Sequence, residues 1–187
     1  MRANAGHLGI DPSRILAWGE SAGGHLAALV GVTADDPELE GTVGVHAGVS
    51  SAVIGVVDWY GPANFTSMAS QHVAESEADT DGPESPESRL LGAPVPSAPE
   101  RAAAASPVHH VRAGAPPFQI HHGPLDRLVP YRQSVELADA LRAVGADVEL
   151  VTVVGADHFW TGAPDLEAIF EASLAFCRRC ALAPSGQ

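Results

Sequence analysis

Lysine is absent from this chain. All ten basic residues are arginine, against 23 carboxylates, and the formal net charge is −13. Such a balance leaves no basic patch and argues against nucleic acid or an anionic membrane surface as a partner. Long apolar runs are also missing: none reaches the roughly 18 residues that span a bilayer. The opening residues, "MRANAGHLGIDPS", lack the apolar core of a signal peptide, so a cytoplasmic location is expected. Cysteine is scarce. Cys177 and Cys180 form one C-x-x-C in "FCRRC". Two ligands do not make a zinc site, and the pair lacks the strand-to-helix position of a redox dithiol. No metal and no cofactor is expected.

What is present is a globular composition. The 187 residues are 45% hydrophobic, enough for one domain with a sizeable core. Four short runs rich in β-branched or aromatic residues, bounded by Gly or Pro, read as buried strands. They are Arg14 to Gly19, Ile54 to Gly61, Pro117 to Gly123 and Asp147 to Gly155. Helical stretches lie between and after them. Ala22 to Val32 follows the first strand directly. Tyr131 to Val144 is opened by Pro130 and closed by Gly145, with Val135, Ala138, Leu141 and Val144 as its apolar positions. A last helix spans about Pro164 to Cys180, its face formed by Leu166, Ile169, Phe170, Leu174 and Cys177. This alternation predicts an α/β fold with a mostly parallel sheet of about four strands and flanking helices. Residues 69–100 interrupt it. They are acidic and rich in Pro and Ser, with a short helix near Pro86 to Leu91, and read equally as a surface excursion or as a cap over a site.

Chemistry enters at "RILAWGESAGGHLAALVG". G-x-S-x-G is short enough to arise by chance, and a serine can simply cap a helix. Here the motif leaves a buried strand and opens a helix. That turn is too tight for large neighbours, so Gly19 and Gly23 are expected to make room for Ser21, whose Oγ would project above the sheet. The helix start beneath it offers free N–H groups and positive potential. A nucleophilic serine needs a base, and the base needs an orienting acid. The third strand ends in "HHGPLDRLVP", which supplies Asp126; the fourth ends in "VVGADHFW", which supplies His158. Both follow strand carboxyl ends, where ligands bind in such sheets. Asp58, at the end of the second strand, is the main rival for the acid. Asp157 is too near His158 in sequence to orient its ring. His121 and His122 are expected to brace the acid loop, and His25 to be structural. His7, His46, His72, His109 and His110 read as surface or packing residues.

Taken together, "DPSRILAWGESAGGHLAALVG", "VVDWYGP", "SPESRLLG", "ASPVHHV" and the stretch from "PPFQIHHGPLDRLVP" to "GADHF" resemble the α/β-hydrolase family. The branch they resemble comprises bacterial carboxylesterases similar to hormone-sensitive lipase and to acetyl-xylan and feruloyl esterases. The resemblance implies Ser21 as nucleophile, Asp126 as acid, His158 as general base and the Ala22 N–H as one oxyanion donor. It also implies about four preceding strands and a His-Gly-Gly turn carrying the second donor, which this sequence does not supply. An N-terminally truncated fold is therefore expected. Its serine-bearing strand would be an edge, inviting self-association near Ile15 to Trp18. One lost oxyanion donor would slow catalysis by about 10²–10³-fold. The implied activity is hydrolysis of small carboxylic esters through an acyl-enzyme. The alternatives are a serine peptidase of the prolyl-oligopeptidase type, which shares this catalytic half, and a catalytically silent fold that acts only by association.

Overall fold

The structure, a computed structural model, describes residues 1–46, 48–76 and 78–183. Four parallel strands, β1 (Ala17–Glu20), β2 (Val56–Trp59), β3 (Phe118–His122) and β4 (Val148–Thr152), lie side by side in chain order. The helices are α1 (Ala5–Leu8), α2 (Ala22–Val32), α3 (Phe65–Gln71), α4 (Pro86–Leu91), α5 (Pro99–Ala104), α6 (Tyr131–Ala143) and α7 (Leu166–Leu182). This is the expected α/β architecture, a parallel sheet of four strands with flanking helices. No helix among the described residues is long and apolar enough to cross a membrane.

Side chains alternate across a strand, so each strand serves two layers. Val56, Phe118 and Ile120 pack against Ala27, Ala28 and Val32 of α2 and Leu137, Ala138 and Leu141 of α6. Val57 faces the other way, onto Phe176 and Cys180 of α7. Burying each of the larger side chains contributes about 1.5–3 kcal/mol.

The strands are shorter than the apolar runs that announce them. Ile15 and Leu16 lie outside β1, although the Ile15 carbonyl still accepts the Ile54 N–H at 2.9 Å. Ladder pairing stops where the chain must turn, not where hydrophobicity ends. α2 coincides with the expected helix, while α6 ends one residue early, with Val144 as its cap. The buried face of α6 includes Gln133, Ser134 and Leu137. The buried face of α7 is Ile169, Ser173, Phe176 and Cys180, whereas Leu166 and Phe170 are exposed. Phe170 lies against Trp18, with ring centroids 5.3 Å apart. Apolar spacing alone found Ile169 and the half-buried Cys177 but missed Ser173, Phe176 and Cys180, through which α7 fits the sheet.

Residues 69–100 are mostly folded around α4, Val95 and the start of α5, with position 77 outside the described residues. Phe65, Met68, Leu91, Val95, Ala102 and Val129 form a separate apolar cluster beneath this region. It stands at the carboxyl end of the sheet, where the site is built.

Candidate active site

The turn from β1 into α2 puts Ser21 at φ 51° and ψ −121°, a strained conformation for a residue with a Cβ. Two contacts hold it there. The Ser21 N–H donates to the Trp59 carbonyl at 2.8 Å, and the Ser21 carbonyl accepts the His25 N–H at 3.0 Å. The close approach that demands glycine is at Gly19, where a Cβ would sit 2.1 Å from the Gly23 carbonyl oxygen. Gly23 differs from expectation: a Cβ there meets nothing within 4 Å. Of the two glycines of the motif only Gly19 makes room for the turn, and Gly24 rather than Gly23 is the second tight position, where a Cβ would lie 2.3 Å from Asp58 Oδ1. Ala22 opens α2, so its N–H has no acceptor within the helix and is free for a ligand.

The structure brings Ser21, His158 and Asp126 into one hydrogen-bonded chain. Ser21 Oγ lies 3.0 Å from His158 Nε2, and His158 Nδ1 lies 2.6 Å from Asp126 Oδ2. His158 and Asp126 are both buried. Burial disfavours the Asp126 carboxylate, yet hydrogen bonds from His122, His158 and the Val129 N–H outweigh it and hold its pKa well below the carboxylate range. An ionised Asp126 can only accept, so Nδ1 of His158 carries hydrogen and Nε2 presents its lone pair to the serine hydroxyl.

The two adjacent histidines of β3 part company because they face opposite sides of the sheet. His122 braces the acid as expected. Its Nε2 reaches Asp126 Oδ2 at 3.2 Å and the Val129 carbonyl at 3.0 Å, and its Nδ1 meets Ser134 Oγ at 2.6 Å. His121 does not brace the acid loop. It points toward α7, 3.5 Å from Ser173 Oγ, and burial pushes its pKa down to about 4. Asp58 does not reach the site. It is fully buried below the turn, accepts the Gly61 N–H at 2.8 Å, and its pKa is pushed up to about 7 by burial. His25 is structural, as expected. It is buried, stacks on Phe65 at 5.0 Å and meets the Ala105 carbonyl at 2.7 Å through Nε2.

Two residues not expected at the site, Tyr60 and Arg127, also contact it. Tyr60, at φ 47°, sets its ring edge-on to His158 with centroids 4.6 Å apart, and its hydroxyl donates to Glu20 at 2.7 Å. Asp157 bonds to Arg127 across the two loops. Nothing in the local pattern around Tyr60 or Arg127 marks them. Their partners lie 40 and 30 residues away in sequence.

A cleft of about 580 Å³ opens over Ser21 and Ala22. Its walls include Leu26, Phe65, Met68 and Leu90, together with Thr80 and Glu87 of the acidic stretch. Leu26, Leu90 and Phe159 leave apolar surface exposed at its rim. The cleft suits the hydrocarbon part of a small molecule better than a charged one. Among the described residues, no group of three or more His, Cys, Asp or Glu side chains could hold a metal ion.

The chain is similar to known esterases in sequence and in structure. The model of the family described as BD-FAE matches residues 1–141. Esterase LipC of Mycobacterium tuberculosis is 32% identical over 158 residues, which cover 84% of this chain and 37% of LipC. A truncated form of a carbohydrate esterase from gut microbiota superposes with a TM-score of 0.84 at 32% identity, covering 97% of this chain and 65% of that one. Thermogutta terrifontis esterase 2, phosphonylated by sarin, gives a TM-score of 0.69 at 30% identity, covering 98% of this chain and 63% of that one. The chain thus spans roughly a third of the curated relatives it matches, between 31% and 37% of their lengths.

Proposed function

Because this chain belongs to the BD-FAE family and strings Ser21, His158 and Asp126 on one line of hydrogen bonds, we propose that it hydrolyses small carboxylic esters through an acyl-enzyme. The observation that carries the proposal is the 3.0 Å contact between Ser21 Oγ and His158 Nε2, backed by the 2.6 Å contact to Asp126.

In the proposed reaction His158 Nε2 takes the Ser21 proton as Oγ attacks the ester carbonyl. The negative charge moves to the carbonyl oxygen, where the Ala22 N–H and the α2 N-terminus stabilise it. His158 returns the proton to the departing alcohol, leaving the acyl group on Ser21. A water then attacks, deprotonated in turn by His158; the bond from the acyl carbon to Ser21 Oγ breaks, His158 returns that proton to Oγ, and the acid leaves. Asp126 stays ionised throughout, orients the ring and stabilises its cationic form. The apolar cleft accommodates the hydrocarbon portion of the ester.

The test is covalent labelling with a fluorophosphonate probe beside turnover of p-nitrophenyl acetate. The wild type should label and turn over, and Ser21→Ala should do neither. The relative phosphonylated by sarin supports the choice of reagent. Cleavage of a proline-peptide panel in preference to the ester would favour a peptidase. A folded wild type that does not label would end the proposal and leave an associating, catalytically silent fold.

A further inference from the structure

Beside the hydrogen bond between Asp126 and His158 the site holds an ion pair, built from the sequence neighbours of those two residues. Asp126 is followed by Arg127, and His158 is preceded by Asp157. Asp157 Oδ1 accepts the Arg127 N–H at 3.0 Å and the His158 N–H at 2.7 Å. Its Oδ2 takes the Arg127 guanidinium, at 2.7 Å from Nε and 2.5 Å from Nη2. One carboxylate therefore fastens the backbone of the residue after the acid to the backbone of the base itself.

The loop bearing His158 needs such a fastening. Phe159 and Trp160 sit at φ 56° and 60°. Two consecutive side-chain-bearing residues in the left-handed region are strained, and the surrounding structure must over-determine them. The acid loop presses close on the other side: a Cβ on Gly123 would meet the Ala156 carbonyl oxygen at 2.1 Å, and the Leu125 N–H donates to that oxygen at 3.1 Å. Those contacts set the separation of the loops, and the Thr161 N–H closes the turn on the His158 carbonyl at 3.2 Å, which leaves the His158 N–H to be held from the side of the acid loop. The Asp157 carboxylate is the group that grips the His158 N–H directly.

Granting the triad role given above to Ser21, His158 and Asp126, we propose that Asp157 is a positioning residue. With Arg127 it locks the His158 loop onto the Asp126 loop, so that Nδ1 meets Asp126 and Nε2 meets Ser21 at once. It touches no substrate and exchanges no proton. Its removal lets the strained turn relax and the imidazole drift, and a misplacement near 1 Å costs about 10²-fold in rate.

The experiment compares the full chain with Asp157→Ala, Asp157→Asn, Arg127→Ala and Arg127→Lys. Three quantities are read: kcat and KM on p-nitrophenyl acetate, melting temperature, and the downfield proton resonance of the His158 Nδ1–H, assigned by its loss in His158→Ala. Asp157→Ala should lower kcat about 10²-fold with KM nearly unchanged, and broaden the resonance away. Asp157→Asn keeps an oxygen for the two N–H groups and should recover most of kcat. Arg127→Lys should outperform Arg127→Ala. If Asp157→Ala does not fold, the Asn and Arg127 variants decide by the same readings. A folded Asp157→Ala with kcat within twofold of wild type and an unaltered resonance would overturn the proposal. If the wild type neither labels nor turns over, the triad reading fails, and the resonance alone still decides whether Asp157 holds the imidazole.

Discussion

Asp126 Oδ2 lies 2.6 Å from His158 Nδ1, although the two residues are 32 apart in sequence. The same oxygen lies 3.2 Å from His122 Nε2, so one carboxylate oxygen serves two imidazoles. The other oxygen accepts the Leu128 and Val129 N–H groups at 2.9 and 2.8 Å. A carboxylate bonded on every side has little freedom to rotate, and it passes that rigidity to His158.

Asp126→Asn should therefore damage both activity and stability. An amide reverses the hydrogen-bonding demand on Nδ1 and is expected to lower kcat about 10⁴-fold. The stability effect has a defined pH dependence. The folded pKa lies below the ordinary value of 3.8, so the carboxylate stabilises the fold above that value. Its contribution fades as pH falls toward the depressed folded value. Thermal melts should show wild type ahead of the variant at pH 7, with the gap narrowing below about pH 4.

Asp58 should behave in the opposite sense. Its folded pKa, about 7, stands above the ordinary 3.8 because burial penalises the charge. The fold is most stable with respect to this group below the ordinary value and loses that advantage as pH rises through about 7. A rise of that size corresponds to roughly 4 kcal/mol as an order of magnitude. Asp58→Asn keeps the acceptor for the Gly61 N–H and removes the titration. Its melting temperature should vary less between pH 5 and 8 than that of wild type. Parallel pH slopes would show that Asp58 does not titrate there.

The two glycines flanking Ser21 should respond differently to an added methyl group. Gly19→Ala drives a Cβ into the Gly23 carbonyl at 2.1 Å, with backbone on both sides of the clash. A loss of about 1–3 kcal/mol or more is expected. Gly23→Ala meets nothing within 4 Å and sits inside α2, where alanine is favoured by up to about 1 kcal/mol. Denaturant midpoints of the two variants should fall on opposite sides of wild type or close to it for Gly23→Ala.

Tyr60 should divide into a ring that matters to catalysis and a hydroxyl that matters little. Tyr60→Phe loses the hydrogen bond to exposed Glu20, a cost of about 1 kcal/mol, and keeps the ring against His158. Its kcat should stay within about threefold of wild type. Tyr60→Leu removes the edge-on contact and should lower kcat by at least about tenfold, since small displacements of a catalytic group are costly.

The sequence by itself determined the order of the four strands and of α2, α4, α6 and α7, though not α1, α3 and α5, together with the strand-to-helix setting of Ser21 and the strand-end positions of Asp126 and His158. Those features are local: periodicity, small residues at a tight turn and polar residues just past apolar runs are all encoded within a few positions. Tertiary structure alone decided that His122 braces the acid while His121 does not, because the alternation of β3 sends neighbours to opposite layers. It also removed Asp58 from contention, by placing it under the Gly61 turn, and moved the buried face of α7 to Ile169, Ser173, Phe176 and Cys180. The bond between Asp157 and Arg127 was equally hidden. Each residue looks like an ordinary surface charge until two loops 30 residues apart are laid side by side, and no property of either loop alone specifies that meeting.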